Sequence, residues 1–233
     1  MPFKKFYFFF LLLLNILNLN NQLNADIQKR IVVQKIKFTQ GGIFKLFKKD
    51  EWEIICYLNR IEKRFIKPGM VLMVPMDLIL AKKGGNILAE NWRFAKKLVY
   101  EYPFFPRIIP REKNTPKLIL ISIKEQFLAV YEYGKLLFSC PISSAKPGHY
   151  TIRGRFKIFY KSPFHISTLY GDPMPWTMSF TKYYAIHEGE MPGHPASHGC
   201  VRLFKKDAKR LYNWAEIGTI VLIVDSFKKQ EST

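Results

Sequence analysis

Acidic residues are scarce in this chain of 233 residues. Asp and Glu total 18 against 37 Lys and Arg, which gives a formal net charge of +19. Such a surface attracts polyanions, and nucleic acid and the anionic surface of a cell envelope are two of these. The sequence has no zinc-finger spacing, no ribonucleoprotein motif and no single basic helix, and its positive charge is spread along its whole length. We therefore expect no nucleic-acid partner.

Apolar runs of the roughly 20 residues that a membrane-spanning helix needs are also missing. The N-terminal run, residues 6–14, follows two lysines and precedes a polar stretch at residues 20–24. This order is typical of a secretory signal, and Ala25 offers a small residue for cleavage. Leu23 weakens the cleavage site, so an uncleaved anchor stays open. We expect residues 1–25 to be a signal peptide or membrane anchor of a protein exported to the periplasm or cell wall.

Cysteine is rare as well, with three residues in the chain. An odd number in an exported protein indicates a free thiol. Cys56 and Cys140 lie in apolar segments, which is typical of core residues, and they could pair only if their two regions meet in space. Cys200 lies instead in a segment rich in His, Gly and Pro.

A small module is predicted at residues 31–75. Helical spacing of apolar residues at 51–58, a Lys-Pro-Gly turn at 67–69 and an apolar run at 70–74 indicate a helix, a turn and a strand. Leu-Asn-Arg-Ile at 58–61 and the run from Phe65 to Pro75 resemble the second half of a LysM peptidoglycan-binding module. The first half of that family, a valine-rich strand followed by Gly-Asp-Thr-Leu, is poorly matched here. The resemblance implies glycan binding, and a structural cap without a ligand is the alternative.

Residues 76–116 are predicted to be a linker packed on the next domain. Apolar residues at helical spacing in 88–102 suggest a connecting helix, and three prolines between 103 and 110 then interrupt regular structure.

From residue 117 the pattern changes to strands, which predicts a mainly β (α+β) domain at 117–225. Short β-branched or aromatic runs indicate strands at 118–122, 127–133, 136–142, 155–161, 183–187 and 219–224, with a hairpin at Gly134-Lys135. One clear helix follows Cys200: Ala208, Leu211, Tyr212 and Ala215 share a face, and Gly218 is placed as a C-terminal glycine.

The segment from His187 to Arg202 holds three of the five histidines and the third cysteine. A cysteine nucleophile needs a base, backbone amides for the oxyanion and a turn that exposes its sulfur. His187 ends a predicted strand, and Gly199 lets the chain turn tightly in front of Cys200. A zinc site built from His187, His194, His198 and Cys200 is the alternative, although their spacing matches no standard zinc motif.

Ser-His-Gly-Cys-Val-Arg at 197–202 resembles the active-site motif of the YkuD-like L,D-transpeptidases, and Thr-Ile-Arg-Gly-Arg-Phe at 151–156 resembles another strand of that family, with Ile152 in place of a proline. The resemblance covers about residues 117–224 and implies a β-sandwich-like catalytic domain. It implies that Cys200 is the nucleophile, that His187 is the base and that the backbone carbonyl of Glu188 orients this base. Gly199 and Cys200 would supply oxyanion amides.

The resemblance also implies supporting and substrate-binding residues. Ser197 and His198 would hold the loop. Arg202 would fix the loop or meet a substrate carboxylate, while Trp176 and Met178 would line the substrate cleft or, as the alternative, belong to the core. No metal, nucleotide or other cofactor is implied.

The family's reaction is attack of Cys200 on a peptidoglycan tetrapeptide, release of D-alanine and transfer of the acyl group to an amine. The implied partners are peptidoglycan stem peptides and glycan strands, and the membrane is contacted only through an uncleaved N-terminus. Two alternatives stay open: a carboxypeptidase that uses water as acceptor, and an envelope-binding protein without catalysis.

Overall fold

The computed structural model describes residues 33–37, 47–75 and 108–227. The predicted signal at residues 1–25 and most of the predicted linker lie outside these ranges. The described strands are β1 (Val33–Lys37), β2 (Val71–Pro75), β3 (Lys117–Ser122), β4 (Phe127–Glu132), β5 (Lys135–Pro141), β6 (Gly154–Lys157), β7 (Tyr160–Ile166), β8 (Pro173–Ser179), β9 (Ala185–Glu188), β10 (Val201–Leu203) and β11 (Ile220–Val224). The helices are α1 (Lys49–Leu58) and α2 (Lys205–Trp214), with short 3-10 helices at Lys63–Phe65 and Pro110–Glu112.

A five-stranded sheet has the order β5-β4-β3-β11-β6. Its central strand, β3, is the apolar run Leu-Ile-Leu-Ile, and five of its six residues are buried, as expected of a strand covered on both faces. β11 pairs with β3 in parallel, and the other neighbours are antiparallel. The turn between β4 and β5 is Tyr133-Gly134, both with positive φ, which suits a two-residue hairpin.

A four-stranded sheet has the order β10-β9-β8-β7. β10 runs parallel to β9, while β8 is antiparallel to both of its neighbours. This parallel pair places the segment around Cys200 beside the strand that carries His187.

The main hydrophobic core joins the two sheets. It combines Ile121 and Val130 of the first sheet with Met178 and Ile186 of the second, and α2 adds Leu211. The expected mainly β fold with a helix after Cys200 is therefore confirmed.

The N-terminal segment forms a small unit with its own apolar cluster. β1 and β2 pair antiparallel, and Trp52, Ile55 and Leu72 are buried together beside them. The predicted order of helix, turn and strand is present at 49–75, while the LysM identity of this unit and the boundaries of the predicted domains stay predictions.

Helix α1 also contacts the catalytic part of the chain. Ile54 and Tyr57 belong to the main core. The Tyr57 hydroxyl donates to Asp207 Oδ2 at 2.9 Å, and the Tyr57 ring stacks on Phe204 with centroids 5.6 Å apart. The small unit is therefore packed onto α2 through buried residues.

Two predicted elements differ in the structure. The single strand expected at 155–161 is divided between the sheets, with β6 in the first and β7 in the second, and the buried Ile158 lies at the crossing. Gly218 does not cap the helix, because α2 ends at Trp214 with Ala215 as its C-cap. Gly218 has φ +92 and turns the chain into β11 instead.

None of the helices in the described part of the chain combines the length and apolar character needed to cross a membrane.

Candidate active site

An open cleft of about 1250 Å³ lies at the end of the four-stranded sheet, and both His187 and Cys200 line it. The loop between β7 and β8 contributes Tyr170 and Asp172, and the end of β9 with the loop after it contributes Glu188, Gly189 and Glu190. The two predicted reactive residues therefore share one concave surface.

His187 lies on β9 and is only 5% exposed. Its Nδ1 lies 2.6 Å from the backbone oxygen of Glu188. Because a carbonyl can only accept, Nδ1 carries the hydrogen, and Nε2 is left as the proton acceptor. Burial lowers the pKa of His187 to about 4, with the Glu188 hydrogen bond opposing the shift. The imidazole is thus neutral at neutral pH.

Cys200 immediately precedes β10. The register pairs Val201 with Ile186 and Arg202 with His187, so Cys200 lies alongside Ala185, two residues before His187 on the neighbouring strand. Strand spacings place the Cα atoms of Cys200 and His187 about 8 Å apart, and the Cys200 Sγ lies 4.0 Å from the backbone oxygen of Tyr183. Burial raises the pKa of the thiol, partly offset by a backbone hydrogen bond of Ala185 and the charge of Arg202.

Ser197 holds the turn that carries Cys200. Its hydroxyl donates to the carbonyl of Cys200 at 2.6 Å and accepts the N–H of Gly199 at 3.1 Å. A Cβ on Gly199 would lie 2.6 Å from the Tyr184 ring, and the φ of Gly199 is +155, so only glycine fits. With the Gly199 amide held by Ser197, the Cys200 amide is the remaining donor of the predicted oxyanion pair.

Two buried residues that the sequence did not single out support this turn. Thr151 Oγ1 donates to the carbonyl of Gly199 at 2.7 Å and accepts the N–H of Ala145 at 3.1 Å. The backbone oxygen of Ser144 accepts the N–H groups of both Ala196 and Ser197. The contacts of Thr151 with Gly199 and of Ser144 with Ala196 and Ser197 join positions far apart in the sequence, and only the Thr-Ile-Arg-Gly-Arg-Phe resemblance pointed to Thr151.

His198 lies on the other side of the turn and is stacked by aromatic groups. The Tyr170 ring lies parallel to it with centroids 4.4 Å apart, and His149 contacts it edge-on at 4.9 Å. Its Nε2 is 3.0 Å from Lys146 Nζ. Tyr170 is thus a neighbour of His198 that sequence reasoning missed, and the role of His198 in holding the loop stays a prediction.

Arg202 lines the cleft from β10. Its aliphatic part packs so closely on Gly189 that a Cβ there would lie 2.8 Å from Arg202 Cγ. Within the described residues, no carboxylate forms a salt bridge with the Arg202 guanidinium. The positive charge is therefore open to a ligand.

Trp176 and Met178 do not line the cleft, which corrects their predicted substrate contact. Met178 is fully buried in the main core, and Trp176 packs edge-on against Tyr212 of α2 at 5.4 Å. Trp176 has a φ of +54 and lies where the pairing of β7 and β8 is irregular. Met174, Pro175 and Ser179 of the same strand line the cleft.

The described residues do not form the zinc site that the sequence left as an alternative. Within residues 47–75 and 108–227, no three His, Cys, Asp or Glu side chains lie together as a metal site requires. His194 is exposed, and its Nδ1 is 3.1 Å from the oxygen of Pro195.

The two-sheet fold brings a buried histidine and a cysteine to one cleft, beside a serine-supported glycine turn, and such a set of groups suits an enzyme with a thiol nucleophile. The comparisons with known proteins identify the family. A model of the YkuD L,D-transpeptidase catalytic domain matches residues 116–223, which run from the start of β3 into β11.

A Bacillus licheniformis protein named for the L,D-transpeptidase YkuD is 31% identical over 124 residues, which are 50% of this chain and 72% of that protein. The chain therefore belongs to the YkuD family of L,D-transpeptidases. The LysM-like segment lies outside the matched residues.

Solved structures agree on the fold. An L,D-transpeptidase from Stackebrandtia nassauensis is 27% identical with a TM-score of 0.50, and the similarity covers 57% of this chain and 64% of that one, less than two thirds of its length. An L,D-transpeptidase from Xylanimonas cellulosilytica is 21% identical with a TM-score of 0.50, covering 82% of this chain and 98% of the other. At that identity the second likeness supports the fold alone.

Proposed function

We propose that the chain is a peptidoglycan L,D-transpeptidase that uses Cys200 as its nucleophile. It takes the acyl group of a tetrapeptide stem, releases D-alanine and transfers the acyl group to an amine. The main support is the joint geometry of two groups: His187 fixed by the Glu188 carbonyl at 2.6 Å, and Cys200 on the adjacent strand in parallel register.

The first step forms a thioester. Nε2 of neutral His187 takes the thiol proton as the sulfur attacks the carbonyl of the L-centre of diaminopimelate. The Cys200 N–H faces the developing oxyanion, and Ser197 keeps the turn in place. When the carbon–nitrogen bond breaks, the imidazolium returns its proton to the amine of the departing D-alanine.

The second step runs the same exchange in reverse. The amine of a second stem peptide attacks the thioester carbon and gives a proton to His187, and the carbon–sulfur bond breaks to restore the thiol. One histidine thus serves as base and acid in turn, as in other covalent acyl transfers. No step in this scheme calls for a metal or another cofactor.

Arg202 is proposed to bind a carboxylate of the donor stem. Its guanidinium lies in the cleft beside Cys200 without an acidic partner in the described part of the chain. Planar guanidinium groups bind carboxylates through paired hydrogen bonds, so this residue suits a stem peptide rich in acidic groups.

Two other functions are considered for the same site. Water in place of the amine would make the site an L,D-carboxypeptidase, and the openness of the cleft to solvent favours neither acceptor. A binding protein without catalysis is disfavoured because His187, Ser197, Gly199 and Cys200 keep a reactive arrangement.

Because we propose peptidoglycan as the substrate, we also propose that the protein is located in the periplasm or cell wall. The signal peptide or membrane anchor predicted at the N-terminus supports this location. The LysM-like unit is proposed to contact glycan strands, and the high positive charge suits a wall dense in carboxylates.

Product analysis tests the proposal. The purified protein is incubated with disaccharide tetrapeptides, and the products are weighed by mass spectrometry. We expect a cross-linked dimer that has lost one D-alanine, and Cys200→Ser should form none. A tripeptide alone would assign the carboxypeptidase reaction, and absence of both products from the folded wild-type protein would refute catalysis on this substrate.

A further inference from the structure

The small N-terminal unit reaches the catalytic cleft. Glu62 and Arg64, at and beside the 3-10 helix Lys63–Phe65, line the same cleft as His187 and Cys200. Both residues precede residue 116, where the match to the family begins. Their contribution to the cleft is therefore a feature of this chain outside the shared catalytic domain.

Glu62 fastens this segment to the loop that follows His187. The Glu62 N–H donates to the oxygen of Met191 at 2.7 Å, and the Met191 N–H donates to Glu62 Oε1 at 3.1 Å. Ile61 and Pro192 form an antiparallel bridge next to these bonds. These two hydrogen bonds and the backbone bridge, with Met191 fully buried, fix the position of the segment relative to the loop.

The Arg64 guanidinium is oriented by its neighbours. Its Nε donates to Glu62 Oε2 at 2.6 Å, and its Cζ lies 4.7 Å from the centre of the Phe65 ring. Nη2 is 3.5 Å from Glu190 Oε1, a long contact between side chains that are 60% and 59% exposed. Exposed ion pairs of this kind contribute little stability, so a substrate carboxylate can replace Glu190.

The position of Arg64 indicates which carboxylate it meets. In the proposed reaction, His187 exchanges a proton first with the amine that leaves and then with the amine that arrives. Both amines therefore occupy the His187 side of the cleft, from which the loop to Glu190 and Met191 continues. Each of them sits on a carbon that also bears a carboxylate, in the departing D-alanine and in the D-centre of an acceptor diaminopimelate.

We propose that Arg64 binds the α-carboxylate of the amino-acid group that leaves or enters at the thioester. This inference rests on the proposed transpeptidation. Glu62 positions the guanidinium, and a planar fork held along one edge offers its other edge to a carboxylate. The N-terminal unit thereby contributes to the choice of acceptor, and Arg202, beside Cys200, serves the donor.

Exchange of the terminal D-alanine for labelled D-alanine measures the contact between Arg64 and the carboxylate. Deuterium-labelled D-alanine attacks the thioester through its nitrogen, the carbon–sulfur bond breaks, and the amine proton passes through His187 to the thiol. The labelled tetrapeptide is counted by mass spectrometry. Deuterium-labelled D-alaninamide serves as the matched acceptor, because it carries the same amine without a carboxylate.

The wild-type protein should use D-alanine with a lower KM than the amide. Arg64→Ala should raise the KM for D-alanine roughly tenfold or more, as loss of a charged hydrogen bond predicts, and leave the KM for the amide unchanged when the tetrapeptide donor is saturating in both assays. Arg64→Lys should recover part of the difference. Lys63→Ala removes a cation from the same short helix outside the cleft and should match the wild type.

Other outcomes overturn the inference. If Arg64→Ala raises the KM for both acceptors equally, Arg64 only supports the loop. If it changes neither KM, the carboxylate is bound elsewhere. A folded wild-type protein that incorporates neither acceptor contradicts the proposed transfer reaction, and with it the carboxylate site proposed at Arg64.

Discussion

Burial acts in opposite directions on the two reactive side chains of the cleft. It lowers the pKa of His187 to about 4 and raises the pKa of the Cys200 thiol, since a low-dielectric site disfavours the charged form of each group. The resting pair is therefore neutral imidazole and neutral thiol. Proton transfer accompanies attack on the substrate instead of preceding it.

The decrease in acylation rate at acidic pH should reflect the lowered pKa of His187. His187 accepts a proton only when neutral, which holds above its pKa, so the rate of thioester formation should fall with a midpoint near pH 4. The rate is measured by rapid quench with a tetrapeptide donor across pH.

Stability has to be followed in the same samples. The unfolded chain binds a proton at His187 between pH 6.5 and about 4 while the folded chain does not, so stability decreases as the pH falls through that window. Tryptophan fluorescence reports whether the protein is still folded. A midpoint near 6.5 in folded protein would contradict a buried, neutral base.

Thr151 offers a second test at the residue scale. Val keeps the shape of Thr but leaves the Gly199 carbonyl and the Ala145 N–H without their shared hydroxyl. We expect Thr151→Val to slow acylation by roughly 10- to 100-fold through displacement of the turn, and to cost about 1–3 kcal/mol of stability.

Thr151→Ser keeps the hydroxyl and should restore most of the rate. Acylation is measured on protein that chemical denaturation shows to be folded. A Val variant that acylates at the wild-type rate would remove Thr151 from the support of the turn.

At the scale of elements, the contact between α1 and α2 carries a buried titratable group. Asp207 of α2 accepts the Tyr57 hydroxyl of α1, and burial raises the pKa of its carboxyl to about 6. The folded protein therefore holds this proton to a higher pH than the unfolded chain. The stability linked to Asp207 is fully present below pH 3.8 and is lost as the pH rises through about 6.

Asp207→Asn should remove this pH dependence. Asn cannot ionise and still offers an oxygen to Tyr57, so the variant should match the wild type near pH 4 and exceed it at pH 7.5 by up to about 3 kcal/mol. Urea denaturation at both pH values measures the difference. Asp50→Asn, at an exposed carboxylate of α1, controls for charge, and an equal pH response in both variants would contradict the assignment.

Most strands of the first sheet were predictable from the sequence because they are apolar runs. Leu-Ile-Leu-Ile of β3 and the apolar β11 are examples. Most of β7 and all of β8 were not predicted: β7 is mostly exposed, and β8 contains Pro173 and Pro175, which ordinarily argue against a strand. Their antiparallel pairing creates the loop that carries Tyr170 into the cleft.

The candidate site also combines residues that the sequence predicts with residues that it does not. Ser197, His198, Gly199 and Cys200 are consecutive, so their arrangement could be read from a short motif, and the Glu188 contact to His187 is between sequence neighbours. The supports at Ser144 and Thr151 and the cleft residues Glu62 and Arg64 depend on chain crossings that no local pattern encodes. For Trp176 and Met178, the choice between core and cleft depends on the packing of β8 against the main core and α2, which no local pattern encodes.

For the whole molecule, the N-terminal unit and the catalytic part share both buried and exposed contacts. Ile54 and Tyr57 enter the main core, Lys206 pairs with Glu53 at 2.9 Å, and Glu62 binds the loop after β9. These contacts give the unit a structural role in the catalytic fold, whether or not it also binds glycan as its LysM-like sequence predicts.

Cys200 is proposed to carry the acyl group, and trapping of the covalent intermediate tests this role. The protein is mixed with a tetrapeptide donor whose side-chain amine is acetylated, so that no amine acceptor is present, then quenched in acid and examined by intact mass and peptide mapping. We expect a mass increase equal to the donor minus D-alanine, located on the peptide that contains Cys200 and lost in Cys200→Ser. An adduct on Cys56 or Cys140, or turnover that persists in Cys200→Ser, would contradict it.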